Sequence, residues 1–183
     1  IKNNDVIFTH CHSTNVINAL IYAKKKGKKF EVYNTETRPL YQGRKTTREL
    51  KKAKIKVTQF IDSAAMIAIT KKQGTKKVNK VFFGADALLK KGVINKVGGG
   101  MFSKIAYDNK IPVYIIADSW KYTNKKLKIE QRELDEIWNK APKNIKIKNP
   151  AFEFIPKKLI YGIISELGNL KYGRFLRKVE KFK

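Results

Sequence analysis

Short apolar runs recur along this chain, each too brief for a helix and most of them followed by apolar residues at helical spacing, and they constrain its fold more than any other feature. Val113-Tyr114-Ile115-Ile116-Ala117 is the clearest of them. A disordered polyelectrolyte lacks such runs, and none approaches the roughly 18 residues that a membrane span needs. The chain is expected to be globular, since 183 residues with 42% apolar content suffice for one domain with its own core.

The runs fall into an alternation. Asp5 to His10 reads as a first strand, with Ser13 placed to cap a helix carrying Val16, Ile17, Leu20 and Ile21, and Gly27 as its stop. Phe30 to Thr35 reads as a second strand ended by the Thr37-Arg38-Pro39 turn, Lys45 to Ala53 as a helix, and Ile55 to Ile61 as a third strand. Ser63 begins a short helix with Ala64, Ala65, Ile67 and Ala68. Val78 to Gly84 is a fourth strand; an irregular stretch then reaches Gly98-Gly99-Gly100, a helix runs from Met101 to Asn109, and Val113 to Ala117 is a fifth strand. From Asp118 to Lys148 the pattern is polar, with one helix expected near Gln131 to Asn139. Ile160 to Glu166 is a late strand, and a basic helix or tail follows from about residue 169. Strands spaced by helical segments predict an α/β fold, an open, mostly parallel Rossmann-like sheet with crossover helices, with residues 1–183 forming a single domain.

The balance of 41 Lys and Arg against 15 Asp and Glu, a formal net charge of +26, would suit a polyanionic partner. The cations, nearly all lysine, are scattered along the whole chain, and an AT-rich genome accounts for the abundance of Lys, Ile and Asn together. No aromatic-interleaved basic stretch of the kind RNA-binding modules carry stands out, so nucleic-acid binding is not expected, whereas an anionic small molecule suits the charge. The single cysteine, Cys11, excludes an intrachain disulfide and a multi-cysteine zinc site, and fits a reducing, cytoplasmic setting.

In such sheets ligands bind beyond the carboxyl ends of the strands, where loops enter helices. That rule selects Thr9-His10-Cys11-His12-Ser13, Glu36 to Gly43, Asp62-Ser63-Ala64 and Gly84-Ala85-Asp86, which puts Cys11 and Asp86 on one rim. A cysteine at a helix N-terminus feels the positive end of the dipole, which would lower the thiol pKa; most lone cysteines are instead small buried hydrophobes. Asp86 can project from the rim into a cleft, or serve as a turn or N-cap residue. The amides after Ser13 could cradle a phosphate, with Lys96 and Lys121 available to neutralise one. His10 and His12 flank Cys11, yet successive residues diverge and no further histidine exists, so no metal site is expected. Gly98 to Gly100 lacks the spacing of a dinucleotide fingerprint.

Six stretches together carry a family resemblance: Thr9-His10-Cys11-His12-Ser13, Thr35-Glu36-Thr37-Arg38-Pro39 with Gln42-Gly43, Asp62-Ser63-Ala64, Gly84-Ala85-Asp86, Val93-Ile94-Asn95-Lys96 and Asn149-Pro150-Ala151-Phe152. In order, and over nearly the whole chain, they resemble the translation initiation factor 2B-like isomerase superfamily. Within it the chain is most similar to the archaeal ribose-1,5-bisphosphate isomerases. Methylthioribose-1-phosphate isomerases typically carry Asp-Asn where this chain has Asp62-Ser63 and Arg where it has Ala87, and regulatory subunits usually lack the cysteine. The pattern departs at Lys91-Gly92, Val97-Gly98-Gly99 and Ile155-Pro156, where Asn-Gly, Ile-Gly-Thr and Thr-Pro are usual.

The resemblance implies an aldose–ketose isomerisation of ribose 1,5-bisphosphate to ribulose 1,5-bisphosphate, with no metal or redox cofactor. Cys11 is implied as proton acceptor and Asp86 as proton donor, and Ser13, Thr14, Asn15, Asn95, Lys96 and Lys121 as substrate-binding residues. Family members also carry an N-terminal helical domain whose Arg and Gly residues help hold substrate phosphate. This chain opens at Ile1, where that domain would end, so the expectation is a separately encoded, cleaved or lost helical partner and a homo-oligomer joined through apolar surface. The competing expectation is a regulatory subunit that binds a sugar phosphate or nucleotide without catalysis.

Overall fold

In chain order the elements are β1 (Val6–Thr9), α1 (Thr14–Lys25), β2 (Glu31–Thr35), α2 (Gln42–Lys52), β3 (Lys56–Phe60), α3 (Ala65–Ile69), β4 (Lys80–Phe83), β5 (Ala87–Leu88), β6 (Gly92–Lys96), α4 (Gly99–Asp108), β7 (Val113–Ile116), β8 (Phe152–Pro156), β9 (Gly162–Ser165), β10 (Gly168–Leu170) and α5 (Tyr172–Val179). They come from a computed structural model that describes residues 1–125 and 127–182. Seven strands form one sheet in the order β10-β9-β7-β4-β1-β2-β3. Every neighbouring pair is parallel except β9 with the edge strand β10, so the expected open, mostly parallel Rossmann-like sheet is the one observed.

The central strands read as continuous apolar runs because helices cover both faces. Val6, Phe8, Val81, Phe83, Val113 and Ile115 pack toward α3, α4 and α5, while Ile7, Val32, Phe82 and Ile116 pack toward α1 and α2. Each fully buried Phe, Leu or Ile in these layers contributes about 1.5–3 kcal/mol of apolar burial. Ser13 caps α1 as its sequence suggests, accepting the Val16 amide at 3.4 Å, and α1 ends at Lys25, with Lys26 as its C-cap and Gly27 next. Among the described residues no helix is long and apolar enough to cross a membrane.

Two expectations are corrected. The stretch from Asp86 to Gly98 is not irregular: β5 and β6 form a hairpin, and β6 pairs antiparallel with β8 to make a second, three-stranded sheet. β5 has only two residues, and β6 buries the polar pair Asn95 and Lys96, which hides the usual alternation. The helix expected near Gln131 to Asn139 is reduced to a single 3₁₀ turn, Leu134–Glu136. Leu134, Ile137 and Trp138 remain exposed there, so no packed apolar face offsets the cost of nucleating a helix.

Two close approaches set the geometry of the sheet's carboxyl rim. A Cβ on Gly43 would lie 1.8 Å from the Thr35 carbonyl oxygen, so only glycine lets the first turn of α2 sit on the end of β2. A Cβ on Gly84 would lie 2.6 Å from Ser13 Oγ, so the N-terminus of α1 meets the end of β4 only across a bare glycine.

Candidate active site

The strand order reverses direction between β1 and β4: the chain leaves β1 toward β2 and β3 on one side, and returns to β4 and β7 on the other. Such a switch point leaves a crevice at the carboxyl ends, because the connecting loops part in opposite directions. A cleft of about 570 Å³ opens there. Cys11 enters it from the end of β1 and Asp86 from the end of β4. Ser13, Thr14 and Asn15 line it from the start of α1, Asn95 and Lys96 from the end of β6, and Lys121 from the turn after β7. All eight residues singled out in the sequence therefore stand around one cavity.

The second rim segment contributes as well, through Gln42 and Lys45 on α2. Asp62-Ser63-Ala64 does not line the cleft; instead the Asp62 carboxylate accepts the Thr37 and Arg38 amides at 2.8 and 2.6 Å, fastening the loop after β2. Sequence reasoning also missed Arg132 and Trp120 in the lining. Gln42 was legible as part of the Gln42-Gly43 pair, and its buried Oε1 has no hydrogen-bond partner. An orphaned acceptor on a cleft wall is poised to take a ligand hydroxyl. Arg132 lies on a polar loop with no periodic signal, held by Glu136 through Nε at 3.0 Å and Nη2 at 2.8 Å.

Cys11 does not have the electrostatics its sequence position suggests. It lies ahead of the Ser13 cap rather than in the first turn, with a left-handed backbone of φ 65°. The helix dipole falls off quickly beyond that turn. Burial pushes the thiol above its ordinary value of 9.0, the His12 amide and Lys96 oppose that rise, and Asp86 and Asp62 add to it. Asp86 is shifted the same way: the residue is exposed on the cleft wall, yet the protein around its carboxyl desolvates it and lifts the pKa above 3.8, against Lys121 and Lys96. The thiol feels the Asp86 charge within the cleft.

The cationic side of the cleft is built from Lys96 and Lys121. Lys121 donates to the Ala85 carbonyl at 2.7 Å, which places its charge beside Asp86. Lys96 is only 4% exposed, and its ammonium group makes no hydrogen bond or ion pair with any described residue. Beside it, Asn95 uses Oδ1 to accept the Lys96 amide at 2.7 Å and leaves a buried Nδ2 without an acceptor. The amides of Thr14 and Asn15 at the start of α1 also lack acceptors among the described residues, and the first turn contains no acidic side chain. By contrast, Glu153 fills the start of α4, accepting the Gly98 and Gly100 amides at 2.6 and 2.9 Å. The open anion-binding donors thus converge on the cleft and not on the glycine triplet.

A rim formed at a Rossmann-type switch point, with a thiol, a carboxyl and cationic donors around it, defines an α/β protein with a candidate anion-binding cleft at its sheet's carboxyl edge. Residues 1–172 match the Initiation factor 2 subunit family, and the chain belongs to that family. It is 36% identical over 176 residues to ribose 1,5-bisphosphate isomerase of Methanocaldococcus jannaschii, covering 92% of this chain and 55% of that protein. It is also 36% identical over 190 residues to methylthioribose-1-phosphate isomerase of Bacillus mycoides, covering 93% of this chain and 53% of that protein. Among solved structures, the delta subunit of translation initiation factor eIF-2B from A. fulgidus superposes with a TM-score of 0.89 at 32% identity, over 100% of this chain and 58% of that one. The chain spans about half the length of the curated relatives it matches.

Proposed function

We propose that this cleft isomerises ribose 1,5-bisphosphate to ribulose 1,5-bisphosphate. The observation that carries the reading is a thiol and a carboxyl of raised pKa on the two sides of the switch point, in one cleft with the ammonium group of the largely buried Lys96, which has no hydrogen bond or ion pair among the described residues. Asp86, protonated, gives its proton to the ring oxygen as the C1–O4 bond breaks. The Cys11 thiolate removes the C2 proton, and those electrons form a C1=C2 enol that keeps its phosphate on C1. Asp86 then takes the C2 hydroxyl proton as C2=O forms, and the Cys11 thiol returns its proton to C1. Both groups end in the states in which they began, so the proton count closes within the cleft. Lys96, Lys121 and the α1 amides hold the phosphates and the charge that develops on the enol.

Identity alone does not separate the two isomerase activities of the relatives, and the charge of the lining supports the bisphosphate. Lys45, Lys96, Lys121 and Arg132 face Asp86 and Asp118, a net positive surface suited to dianions at both ends of the sugar. A methylthio group would call for an apolar pocket at one end. In the same reading a helical segment outside this chain completes the phosphate site. The test is a coupled assay for ribulose 1,5-bisphosphate, run on the chain alone and with the helical domain of a relative added in trans. We expect weak or no turnover alone and at least a hundredfold rise on addition, because orientation of one phosphate is worth that much. A complemented complex that binds the sugar bisphosphate and never converts it would leave the regulatory-subunit reading in its place.

Self-association belongs to the same proposal. On the α1 side, the half of the sheet formed by β7 and β9 leaves Tyr114 and Ile164 only partly buried, and Tyr22 and Tyr161 stand exposed next to them. Contact through that face buries apolar area and should resist salt, whereas a charge-driven contact weakens with it. Sedimentation is expected to show a dimer or larger species at 1 M NaCl, in the sense that screening is then nearly complete, at roughly 3 Å. A monomer at every salt concentration would remove this part of the proposal.

A further inference from the structure

Cys11 carries a Cβ in a backbone conformation that side-chain-bearing residues seldom adopt, at φ 65°. Both of its backbone polar groups are held by threonine hydroxyls from one neighbouring segment. The Cys11 amide donates to Thr37 Oγ1 at 2.9 Å, and the Cys11 carbonyl accepts from Thr46 Oγ1 at 2.7 Å. Thr37 is fully buried and Thr46 nearly so. Thr37 is itself left-handed, at φ 64°, and the Asp62 carboxylate pins its amide.

Behind Thr37 stands His10. Its Nε2 lies 3.0 Å from the Val97 carbonyl, which can only accept, so Nε2 carries the proton and Nδ1 is an acceptor. Nδ1 faces the hydroxyls of Thr35 and Thr37, the latter at 3.3 Å. Burial holds His10 neutral, with a pKa near 4 despite the opposing charge of Asp62, so this arrangement persists across the neutral range. Thr37 Oγ1 has two acceptors for its proton, His10 Nδ1 at 3.3 Å and the Thr35 carbonyl at 3.4 Å, and with either of them it offers its lone pairs to the Cys11 amide.

We infer that Thr37 and Thr46 are positioning residues, a clamp that holds Cys11 left-handed so that its thiol stays on the cleft, within reach of the His12 amide and the Lys96 charge. The clamp rests on the reading that Cys11 is the proton acceptor, and it deepens that reading by naming what aims the thiol. Released from it, Cys11 would relax to an extended backbone and swing its sulfur away from both stabilising groups. The charged and titratable groups that face the thiol are Lys96, Asp86 and Asp62, with neutral His10 adjacent in sequence.

Cys11 is the sole cysteine, so alkylation by iodoacetamide reads this one thiol in the intact chain. The expected result is that Thr37→Val and Thr46→Val each move the pH midpoint of alkylation upward by about one unit, while Thr37→Ser and Thr46→Ser restore the parent profile because the hydroxyl is kept. In the complemented enzyme the valine variants should lose about tenfold or more in kcat with KM within about twofold, the pattern of a misplaced reacting group. Folded valine variants with the parent alkylation profile would overturn the clamp. Should those variants fail to fold, hydrogen exchange in the unmodified chain decides: the Cys11 amide must be protected like a strand amide, and exchange at loop rates overturns the inference. A shifted alkylation profile without any isomerisation by the parent would sustain the clamp and sink the isomerase reading instead.

Discussion

Replacing Cys11 by Ser, or Asp86 by Asn, is expected to lower isomerisation by at least about a thousandfold in the complemented enzyme while leaving sugar-bisphosphate affinity within about threefold. Neither change removes a phosphate contact of the proposed site, whose anion donors are Lys96, Lys121, Asn95 and the amides of α1, all of which remain. The hydroxyl of serine is too weak an acid to supply an anion here, and the N–H protons of an amide are far too weakly acidic to be given to the ring oxygen. The pH profile carries a second expectation with a definite sign. Turnover needs the Cys11 thiolate together with the protonated Asp86 carboxyl, although burial raises both pKa values and leaves the thiol the weaker acid of the two. Below the raised Asp86 pKa both groups hold protons, and above the raised Cys11 pKa neither does. Between them the pair shares one proton, a constant small fraction of it in the productive arrangement, so kcat/KM should be flat there. The acid limb should lie above 3.8 and the alkaline limb above 9.0. Unchanged turnover in both variants, or an activity maximum confined below pH 4, would remove these two residues from the mechanism.

The large parallel sheet was readable because its strands are buried on both faces. Ile7-Phe8 and Val81-Phe82-Phe83 send alternate side chains into separate apolar layers, so the pattern needs no polar interruption and survives as a run. From strand ends and the crossover rule, the rim with Cys11, Ser13 and Asp86 followed directly, whereas Thr14, Asn15, Asn95, Lys96 and Lys121 were assigned as substrate-binding residues by the family resemblance. The second sheet was not readable for the opposite reason. Asn95 and Lys96 are polar residues spent on the cleft while occupying buried strand positions, and β5 has only the pair Ala87 and Leu88 to announce it. Local patterning fails where the site takes precedence over packing. The electrostatics of Cys11 fell outside the sequence too: proximity to a helix start was visible in Ser13, but neither its left-handed backbone nor the burial of its thiol leaves a mark on residue order.

The remaining large effect concerns Lys96, where stability and binding should move in opposite directions. Lys96 is 4% exposed and its ammonium makes no hydrogen bond or ion pair among the described residues, so its desolvation in the folded state is offset only by longer-range attraction to groups such as Asp86 and Glu136. Methionine has nearly the same length and volume and no charge, so Lys96→Met should stabilise the chain by about 1 kcal/mol and raise Tm by about 2–4 °C. The same change removes the cation that a phosphate would meet on entering the cleft. A charge-assisted hydrogen bond of about 1.5–3 kcal/mol corresponds to a loss of roughly 10- to 150-fold in sugar-phosphate affinity. It also withdraws the charge that holds Cys11 and Asp86 down, so the midpoint of Cys11 alkylation and the acid limb of the pH profile should both shift upward. Thermal unfolding, calorimetric titration and alkylation on one preparation of Lys96→Met read all three consequences. A variant that is less stable than the parent and binds as well as it would mean that Lys96 is a structural lysine whose charge the cleft does not use.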